Sequence, residues 1–196
     1  MLPRGKLRWR PAFEIVLQRR RCHRRLDRQL PGAEVLGRVL HLSHGVMDDL
    51  YRGPTPSAGG LQALELYLVH WRSGWLPPGA YHYDRRGHQL AQVVASADAA
   101  YWERRLPSLQ QIDGGALIWL LVGDSGRVSS KYDMRADRFL LLEAGHLMQN
   151  LCLVSESMGY CTTPLGGCLE GEVASGLQLL SADRVLYAGV FGRPLA

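Results

Sequence analysis

Arginines cluster near the start of the chain in a pattern that could hold a phosphate. Arg19, Arg20 and Arg21 are followed closely by Arg24 and Arg25. A guanidinium group can donate two parallel hydrogen bonds to one phosphate or carboxylate. The cluster is therefore either a solvated run of charge or an anion site. Nucleic acid is not the expected ligand, because the region lacks interleaved aromatic residues, zinc-ligand spacing and a clear helix-turn-helix pattern.

The adjacent residues Lys131 and Tyr132 are candidates for proton transfer. Only two of the 23 basic residues are lysines, Lys6 and Lys131, so the chain uses arginine almost everywhere that a cation only has to be soluble. Lysine differs from arginine because desolvation or a nearby cation can move its pKa toward neutrality. Lys131 is therefore either an ordinary surface lysine or a proton-handling residue.

Two glycine-rich segments could bring backbone N–H groups close to a flat or anionic ligand. They are Pro56-Ser57-Ala58-Gly59-Gly60 and Pro164-Leu165-Gly166-Gly167. Glycine leaves no side chain between the backbone and the ligand. Neither segment matches a dinucleotide-binding or P-loop motif. Each could also be a plain turn.

Metal and nucleophile chemistry find little support in the residue spacing. The seven histidines show no HExxH pattern, the four cysteines form no CxxC pair, and no GxSxG motif occurs. We expect no metal site, and we expect free thiols in a reducing cytoplasm. No run approaches the roughly 18 to 20 apolar residues of a membrane helix, so no membrane partner is expected.

The formal charge of +5 is unevenly distributed along the 196 residues. Residues 1–28 hold ten Lys and Arg against two acidic residues, whereas the remaining residues hold thirteen against sixteen. This asymmetry and the length predict a basic N-terminal arm over residues 1–15 and one domain over residues 16–196.

Apolar runs and alternation predict several strands. Residues 116–123 form an apolar run bounded by glycines, which is typical of an interior strand. Residues 61–71 end in a second buried strand, and residues 75–93 predict a hairpin. Residues 185–192 predict a final strand.

Apolar residues at helical spacing predict helices in much of the remaining sequence. Residues 12–45 predict two helices separated by a turn, and residues 140–158 predict the best helix, with Gly145 inside it suggesting close approach of another group. Residues 92–111 also look helical, and residues 160–180 predict a loop entering a short helix. Strands separated by helices predict a layered α+β or α/β domain.

The chain resembles the nitroreductase-like flavoproteins, and among them the SagB-type dehydrogenases that oxidise azoline rings in thiazole- or oxazole-modified peptides. The resemblance covers nearly the whole chain and depends on six segments in the family's order. These are RRCHRRLD (20–27), PSAGGLQALELYLV (56–69), LPPGAYHYD (76–84), KYDMRADRFLLLEAGHLMQNL (131–151), PLGG (164–167) and VLYAGVFGRP (185–194).

The resemblance implies an α+β fold with a central, mostly antiparallel sheet flanked by helices, and FMN at a homodimer interface. It also implies roles for residues at matching positions. The implied phosphate contacts are Arg20, Arg21, Cys22, Arg24 and Arg193. Cys22 replaces the family's usual serine and is a weaker hydrogen-bond donor.

The resemblance places two loops against the flavin ring and a base beside it. Pro56, Ser57 and Gly59 would lie against the ring held by the other subunit, and the Pro164, Leu165, Gly166 and Gly167 loop would cover the hydride-accepting N5. Lys131 and Tyr132 would be catalytic, with Lys131 either stabilising a deprotonated Tyr132 or itself deprotonated by desolvation, because neither group is a base at pH 7 when free.

Three functions follow from this resemblance. The first is FMN-dependent oxidation of an azoline in a peptide or small heterocycle. The second is NAD(P)H-dependent reduction of nitro compounds or quinones on the same flavin platform. The third is a non-catalytic flavin-binding subunit of a peptide-modifying complex that includes a cyclodehydratase.

Overall fold

The apolar run near the middle of the chain forms the central strand of a six-stranded sheet. β6 (Leu117–Asp124) pairs antiparallel with β2 (Leu64–His70) on one side and with β8 (Asp183–Gly192) on the other. All of its residues up to Gly123 are buried, because helices cover both faces of the sheet. Burial on both faces explains why the run is continuously apolar rather than alternating. The predicted interior strand is confirmed.

The computed structural model describes residues 1–3, 12–72, 74–95 and 98–195. Lys6 and most of the predicted basic arm lie outside the described residues. Within the arm, Leu2 is buried and its backbone N–H donates to the carbonyl of His88 at 2.7 Å. The first residues therefore pack against the domain.

The remaining strands extend the sheet to both edges. β3 (Gly79–Asp84) and β4 (Gln89–Val94) form the predicted hairpin, and β7 (Cys161–Leu165) lies at the opposite edge. The order is β4-β3-β2-β6-β8-β7, and every neighbouring pair is antiparallel. A short parallel pair, β1 (Arg25–Leu26) with β5 (Asp113–Gly114), lies outside this sheet.

The helices form two layers with the sheet between them. Core residues of β6 alternate between the layers: Leu117 and Trp119 pack on one face, and Ile118 packs on the other. This is an α+β fold with a central antiparallel sheet flanked by helices, as predicted. On the first face lie α2 (Ala33–His44), α4 (Ser125–Tyr132) and α5 (Ala136–Ser157), with α1 (Phe13–Arg19) against α5; on the second lie α3 (Ala99–Arg105) and α6 (Glu170–Leu177).

Two predictions about secondary structure were wrong. Residues 92–111 are not one helix: β4 continues to Val94, and α3 ends at Arg105 before a 3-10 turn. The segment containing Pro164 is not only a loop, because β7 includes it. Proline cannot donate a ladder hydrogen bond, but an edge strand tolerates this loss on its unpaired side.

Among the described residues, no helix is both long and apolar enough to cross a membrane.

A buried histidine makes the stability of this fold sensitive to acid. The ring of His44, in the last turn of α2, is fully buried, and its Nε2 lies 3.0 Å from the carbonyl of Leu64. Burial, reinforced by the nearby positive charge of Arg85, lowers the pKa of His44 from 6.5 to about 4. The folded protein therefore holds this histidine neutral while the unfolded chain can protonate it.

We expect acid to remove about 3 kcal/mol of stability through His44 as the pH falls from 6.5 to 4. Urea unfolding of the wild type and of His44→Gln across this range would measure the effect. The pH dependence should be weaker in the variant, and a His146→Gln control, at an exposed position of α5, should behave like the wild type. Equal slopes for His44→Gln and the wild type would contradict the assignment.

Candidate functional site

The arginine segment after α1 runs between β7 and the C-terminal residues. The backbone N–H of His23 donates to Oγ1 of Thr163 at 3.1 Å, and the same hydroxyl donates to the carbonyl of His23. The backbone N–H of Asp27 donates to the carbonyl of Arg193 at 2.7 Å. These bonds bring the first arginine cluster and the late Arg193 onto one strip of the surface, as the predicted phosphate site requires.

The predicted phosphate-binding arginines are cations without acidic partners. In the described parts of the chain, no carboxylate lies within 4 Å of the guanidinium of Arg20, Arg21, Arg24 or Arg193. Arg21, Arg24 and Arg193 are also exposed. One guanidinium nitrogen of Arg21 donates to the carbonyls of Gln18 and Arg20. Because no carboxylate neutralises these arginines, their charge is available for an anionic ligand.

Cys22 lies among these arginines, and its thiol is exposed whereas those of Cys152 and Cys161 are buried. Its side chain is exposed, and an Arg20 N–H is directed at its sulfur at 3.9 Å. By contrast, burial raises the pKa of Cys152 to about 12, and burial also raises the pKa of Cys161. All four cysteines of the chain have free thiols. Only Cys22 is both exposed and placed in the predicted phosphate site.

The Pro164–Gly167 segment leaves the edge of the sheet next to a shallow cleft. Pro164 and Leu165 end β7, and the backbone N–H of Gly167 donates to Oγ of Ser108 at 2.7 Å. A side chain at Gly166 would meet no atom of the described chain within 4 Å. The loop is therefore fixed at its far end, while Gly166 faces open space.

This cleft has a volume of about 270 Å³ and is bordered by α5, β8 and the glycine loop. Gly145 lines it, and a side chain there would also meet nothing within 4 Å. The predicted close approach at Gly145 is therefore not made by the described chain itself. Tyr187 lines the same cleft, and burial raises its pKa, with a further contribution from Cys152 and Cys22. The cleft lies close to the arginine segment, because Thr163 bonds to His23 and Leu165 of the same strand lines the cleft.

The Pro56–Gly60 segment lies elsewhere, as a tight turn on α5. Gly59 has a φ of 58°, a left-handed conformation that glycine adopts without strain. Oγ of Ser57 accepts a hydrogen bond from the backbone N–H of Gln62 at 2.8 Å. Ser57 is thus occupied in shaping its own loop.

Glu143 supports this turn and was missed by the sequence reasoning. Its side chain is only 4% exposed. Its carboxylate accepts hydrogen bonds from the hydroxyl of Ser57 and from the backbone N–H of Ala58, the latter at 3.3 Å. Burial raises its pKa despite these bonds. The sequence does contain a signal for this role: Glu143 is an acidic residue on the apolar stripe of α5, between Leu140 and Leu147.

The structure places Lys131 and Tyr132 directly against this turn. They end α4, and the Tyr132 ring packs on Phe139 with centroids 4.6 Å apart. A side chain at Gly59 would come within 2.5 Å of the Tyr132 hydroxyl and 2.6 Å of Lys131 Nζ. Lys131 is exposed, so the described chain does not supply the desolvation that we expected for it. The lysine, the tyrosine and the glycine form one group.

The predicted site residues therefore form two half-sites on opposite faces of α5. Phe139 and Glu143 face the turn of residues 57–60 and Tyr132, whereas Leu141 and Gly145 face the cleft beside Gly166. At about 100° per residue, the two sets point roughly 180° apart, across a helix about 10 Å wide. One chain alone does not bring the predicted catalytic pair, Lys131 and Tyr132, together with the arginines.

Comparison with known proteins places this architecture in a family. The Nitroreductase family profile matches residues 17–193. A Methanocaldococcus jannaschii protein named as a candidate nitroreductase is 26% identical over 169 residues, which cover 85% of this chain and 84% of that protein. The chain belongs to the nitroreductase family, and the predicted resemblance is confirmed at this level. It is an oxidoreductase, and its flavin cofactor is FMN.

Two solved structures share the fold. A candidate nitroreductase from Ralstonia eutropha superposes with a TM-score of 0.85 at 22% identity, covering 100% of this chain and 89% of that one. The Escherichia coli microcin synthetase McbBCD complex with truncated pro-MccB17 bound gives a TM-score of 0.80 at 20% identity, covering 98% and 76%. At these identities the comparisons show the fold alone.

The residues present fit FMN. Free guanidinium groups suit a phosphate, and the glycines at positions 145 and 166 leave room where side chains would otherwise fill the adjoining cleft. Strand β7 links the two features, because Thr163 bonds to His23 of the arginine segment and Leu165 lines the cleft. The arginine segment and the cleft beside Gly166 are therefore the candidate flavin site.

Proposed function

We propose that this protein is an FMN-dependent dehydrogenase that oxidises an azoline ring in a peptide or related heterocycle. The observation that carries the proposal is the convergence of Lys131 Nζ and the Tyr132 hydroxyl on Gly59. An amine and a phenol at one glycine turn form a proton-handling pair, which simple acceptance of a hydride from a nicotinamide does not require. The McbBCD complex among the similar folds carries a bound peptide precursor, which agrees with this class of substrate.

The reaction assigns separate tasks to the two half-sites. Bound FMN supplies a two-electron acceptor for the hydride that leaves the ring carbon. Arg20, Arg21, Arg24 and Arg193 hold the phosphate, and the loop at Gly166 covers the ring system. The proton lost from the neighbouring ring carbon goes to the phenolate of Tyr132, stabilised by the Lys131 ammonium, or to the neutral amine of Lys131. Loss of one hydride and one proton converts the azoline into the aromatic azole.

We propose further that a second copy of the chain completes the site, as is typical of the family. The cleft beside Gly166 is smaller than the roughly 300–1,000 Å³ of most complete ligand sites. The surface of α5 between the half-sites is exposed and partly apolar, with Leu141 and Leu142 at 58% and 50% exposure. Apolar side chains of this size on one stripe favour contact with another chain. Lys131 and Tyr132 would then serve the flavin of the partner.

The test is anaerobic reduction of the bound flavin. We expect a thiazoline- or oxazoline-containing peptide to bleach the visible flavin absorbance and to lose two hydrogen atoms by mass spectrometry. The alternative function, reduction of nitro compounds or quinones, agrees with the name of the M. jannaschii relative. Rapid bleaching by NAD(P)H, with no reaction of azolines, would favour that alternative. No reaction with either, together with co-purification of a cyclodehydratase, would favour a non-catalytic subunit.

A further inference from the structure

A cleft of about 430 Å³ in the described part of the chain borders the turn of residues 57–60 and has no role in the reaction described above. Gly60, the residue after Gly59, lines it, and a side chain at Gly60 would meet nothing within 4 Å. Arg127 lines it too, and Arg127 lies one turn before Lys131 on α4. The turn of residues 57–60 and α4 therefore each contribute both to this cleft and to the Lys131–Tyr132 group, so a peptide bound at that group has room to continue into the cleft.

The acidic groups of the cleft are already satisfied. The Glu65 carboxylate contacts His82 Nε2 at 2.8 Å and Arg127 at 3.4 Å. The Asp84 carboxylate accepts hydrogen bonds from the backbone N–H groups of Arg86 and Gly87 and from the side chain of Gln89. The Glu65 carboxylate is thus paired with cationic side chains, whereas the Asp84 carboxylate is held by neutral donors and keeps its negative charge.

Two of the three arginines also have partners within the chain, although the buried Nη2 of Arg85 has none. Arg127 contacts Asp124, the carbonyl of Gln62 and Glu65. Arg85 is partly buried and donates to the carbonyl of His44 at 2.9 Å and to the side-chain oxygen of Gln62 at 2.6 Å. Both hold the walls of the cleft in place.

Arg86 is different, because its guanidinium is oriented but not neutralised. Its Cζ lies 4.2 Å from the centroid of the Tyr51 ring, and in the described structure no carboxylate approaches its nitrogens within 4 Å. A cation–π contact with the aromatic face restrains the exposed guanidinium and leaves its N–H groups available for a bidentate anion. The positive charge of Arg85 next to it adds to the attraction.

The chain holds Tyr51 in place for this contact. Tyr51 has a φ of 59°, which is costly for a bulky side chain. Asp48 organises the loop, since its carboxylate accepts from the backbone N–H groups of Leu50 and Arg52 and pairs with the Arg52 side chain at 2.7 Å. Leu50 and Leu61 add an apolar wall beside the arginine.

We infer that Arg86, stacked on Tyr51, binds the carboxylate of an acidic residue that flanks the reactive ring in the peptide substrate. The adjoining apolar wall would contact an aliphatic neighbour of that residue. This inference rests on the proposed peptide substrate and adds a selectivity that the flavin and the catalytic pair do not provide: peptides with Glu or Asp near the ring would bind more tightly than neutral ones.

The test uses binding rather than turnover, so that it can succeed or fail independently of the proposed function. Fluorescein-labelled thiazole peptides, which are products and cannot be oxidised further, would carry one Glu placed one, two or three residues from the ring, with Gln in the matched peptides. Anisotropy with the flavin-loaded protein would give Kd values for the wild type, Arg86→Gln and Tyr51→Ala. Arg104→Gln, an exposed arginine of α3 on the other face of the sheet, is the control.

We expect Arg86→Gln to weaken binding of the best Glu peptide about tenfold and to remove its advantage over the Gln peptide. Tyr51→Ala should act in the same direction, and Arg104→Gln should leave the Kd unchanged. Equal Kd values for the Glu and Gln peptides in the wild type would overturn the inference. So would an effect of Arg86→Gln confined to the affinity for NADPH, because the anion would then be a dinucleotide phosphate. If peptides bind as expected but azolines are not oxidised, the proposed function fails and the subsite stands.

Discussion

A Lys131→Ala/Tyr132→Phe double variant should keep its flavin and lose 10²- to 10⁴-fold in azoline turnover, roughly the contribution of a positioned general base. The flavin should remain because the arginines and the Gly166 loop lie on the opposite face of α5 from this pair. Turnover of a thiazoline peptide, together with the ratio of released FMN to chain, measures both quantities. Full activity in the double variant would refute the catalytic assignment.

The single variants add a distinction that the double variant cannot make. If Tyr132 is the base and Lys131 stabilises its deprotonated form, Tyr132→Phe should abolish the activity, and Lys131→Met should shift the pH profile of kcat/KM toward alkaline pH. If Lys131 is itself the base, Tyr132→Phe should retain part of the activity. A Gly59→Ala variant should disturb both groups at once, because its methyl group would collide with them.

Mixing two inactive chains would test whether the pair serves the partner's flavin. Lys131→Ala/Tyr132→Phe chains would be unfolded and refolded with Arg20→Gln/Arg24→Gln chains. If the site is shared across a two-fold dimer, random pairing should restore activity at about a quarter of the sites. No recovery, in a mixture shown to contain heterodimers, would mean that each site uses residues of one chain.

The second large effect concerns the flavin itself. The Arg20→Gln/Arg24→Gln double variant should bind FMN about 10²- to 10³-fold more weakly, because each charge-assisted bond to the phosphate contributes about 1.5–3 kcal/mol and exposure reduces this contribution. Titration of the apoprotein with FMN, followed by flavin fluorescence, gives the Kd. Arg28→Gln is the matched control, since Arg28 belongs to the same segment but pairs with Asp113 at 3.0 Å.

A substitution at Cys22 should change the Kd for FMN in the opposite direction, and the same titration measures it. A hydroxyl is a better hydrogen-bond donor than a thiol, so Cys22→Ser should tighten FMN binding. An unchanged Kd in Arg20→Gln/Arg24→Gln would show that these arginines do not hold the phosphate, whatever the behaviour of Cys22→Ser.

The spacing of apolar residues was sufficient to predict single strands and helices. The apolar residues 116–123 indicated an interior strand, and the four- and three-residue spacing of Leu140, Ala144 and Leu147 indicated a long helix. Each pattern covers one element and depends only on which face is buried. The glycine segments could be recognised for a related reason, because their glycines permit conformations and close approaches that other residues resist.

Long-range pairing explains where local patterns failed. Pro164 argues against a strand when read locally, yet β7 includes it because it lies at the edge of the sheet, and only the order of the strands puts it there. Glu143 appeared to be an ordinary helical residue until the turn at Ser57 was found against it. Arg86 and Tyr51 are 35 positions apart, and no periodicity connects them.

The separation of the lysine–tyrosine pair from the arginines is also a property of the tertiary structure. Residue types along the chain are enough to indicate an anion site, two glycine turns, a lysine–tyrosine pair and, through the order of these segments, the family. The chain alone does not reveal that the lysine–tyrosine pair joins the turn at Gly59 and lies away from the arginines. That arrangement depends on which residues of α5 face each group. A helix interposes its own width of about 10 Å between groups on its opposite faces, and only the tertiary structure determines which groups those are.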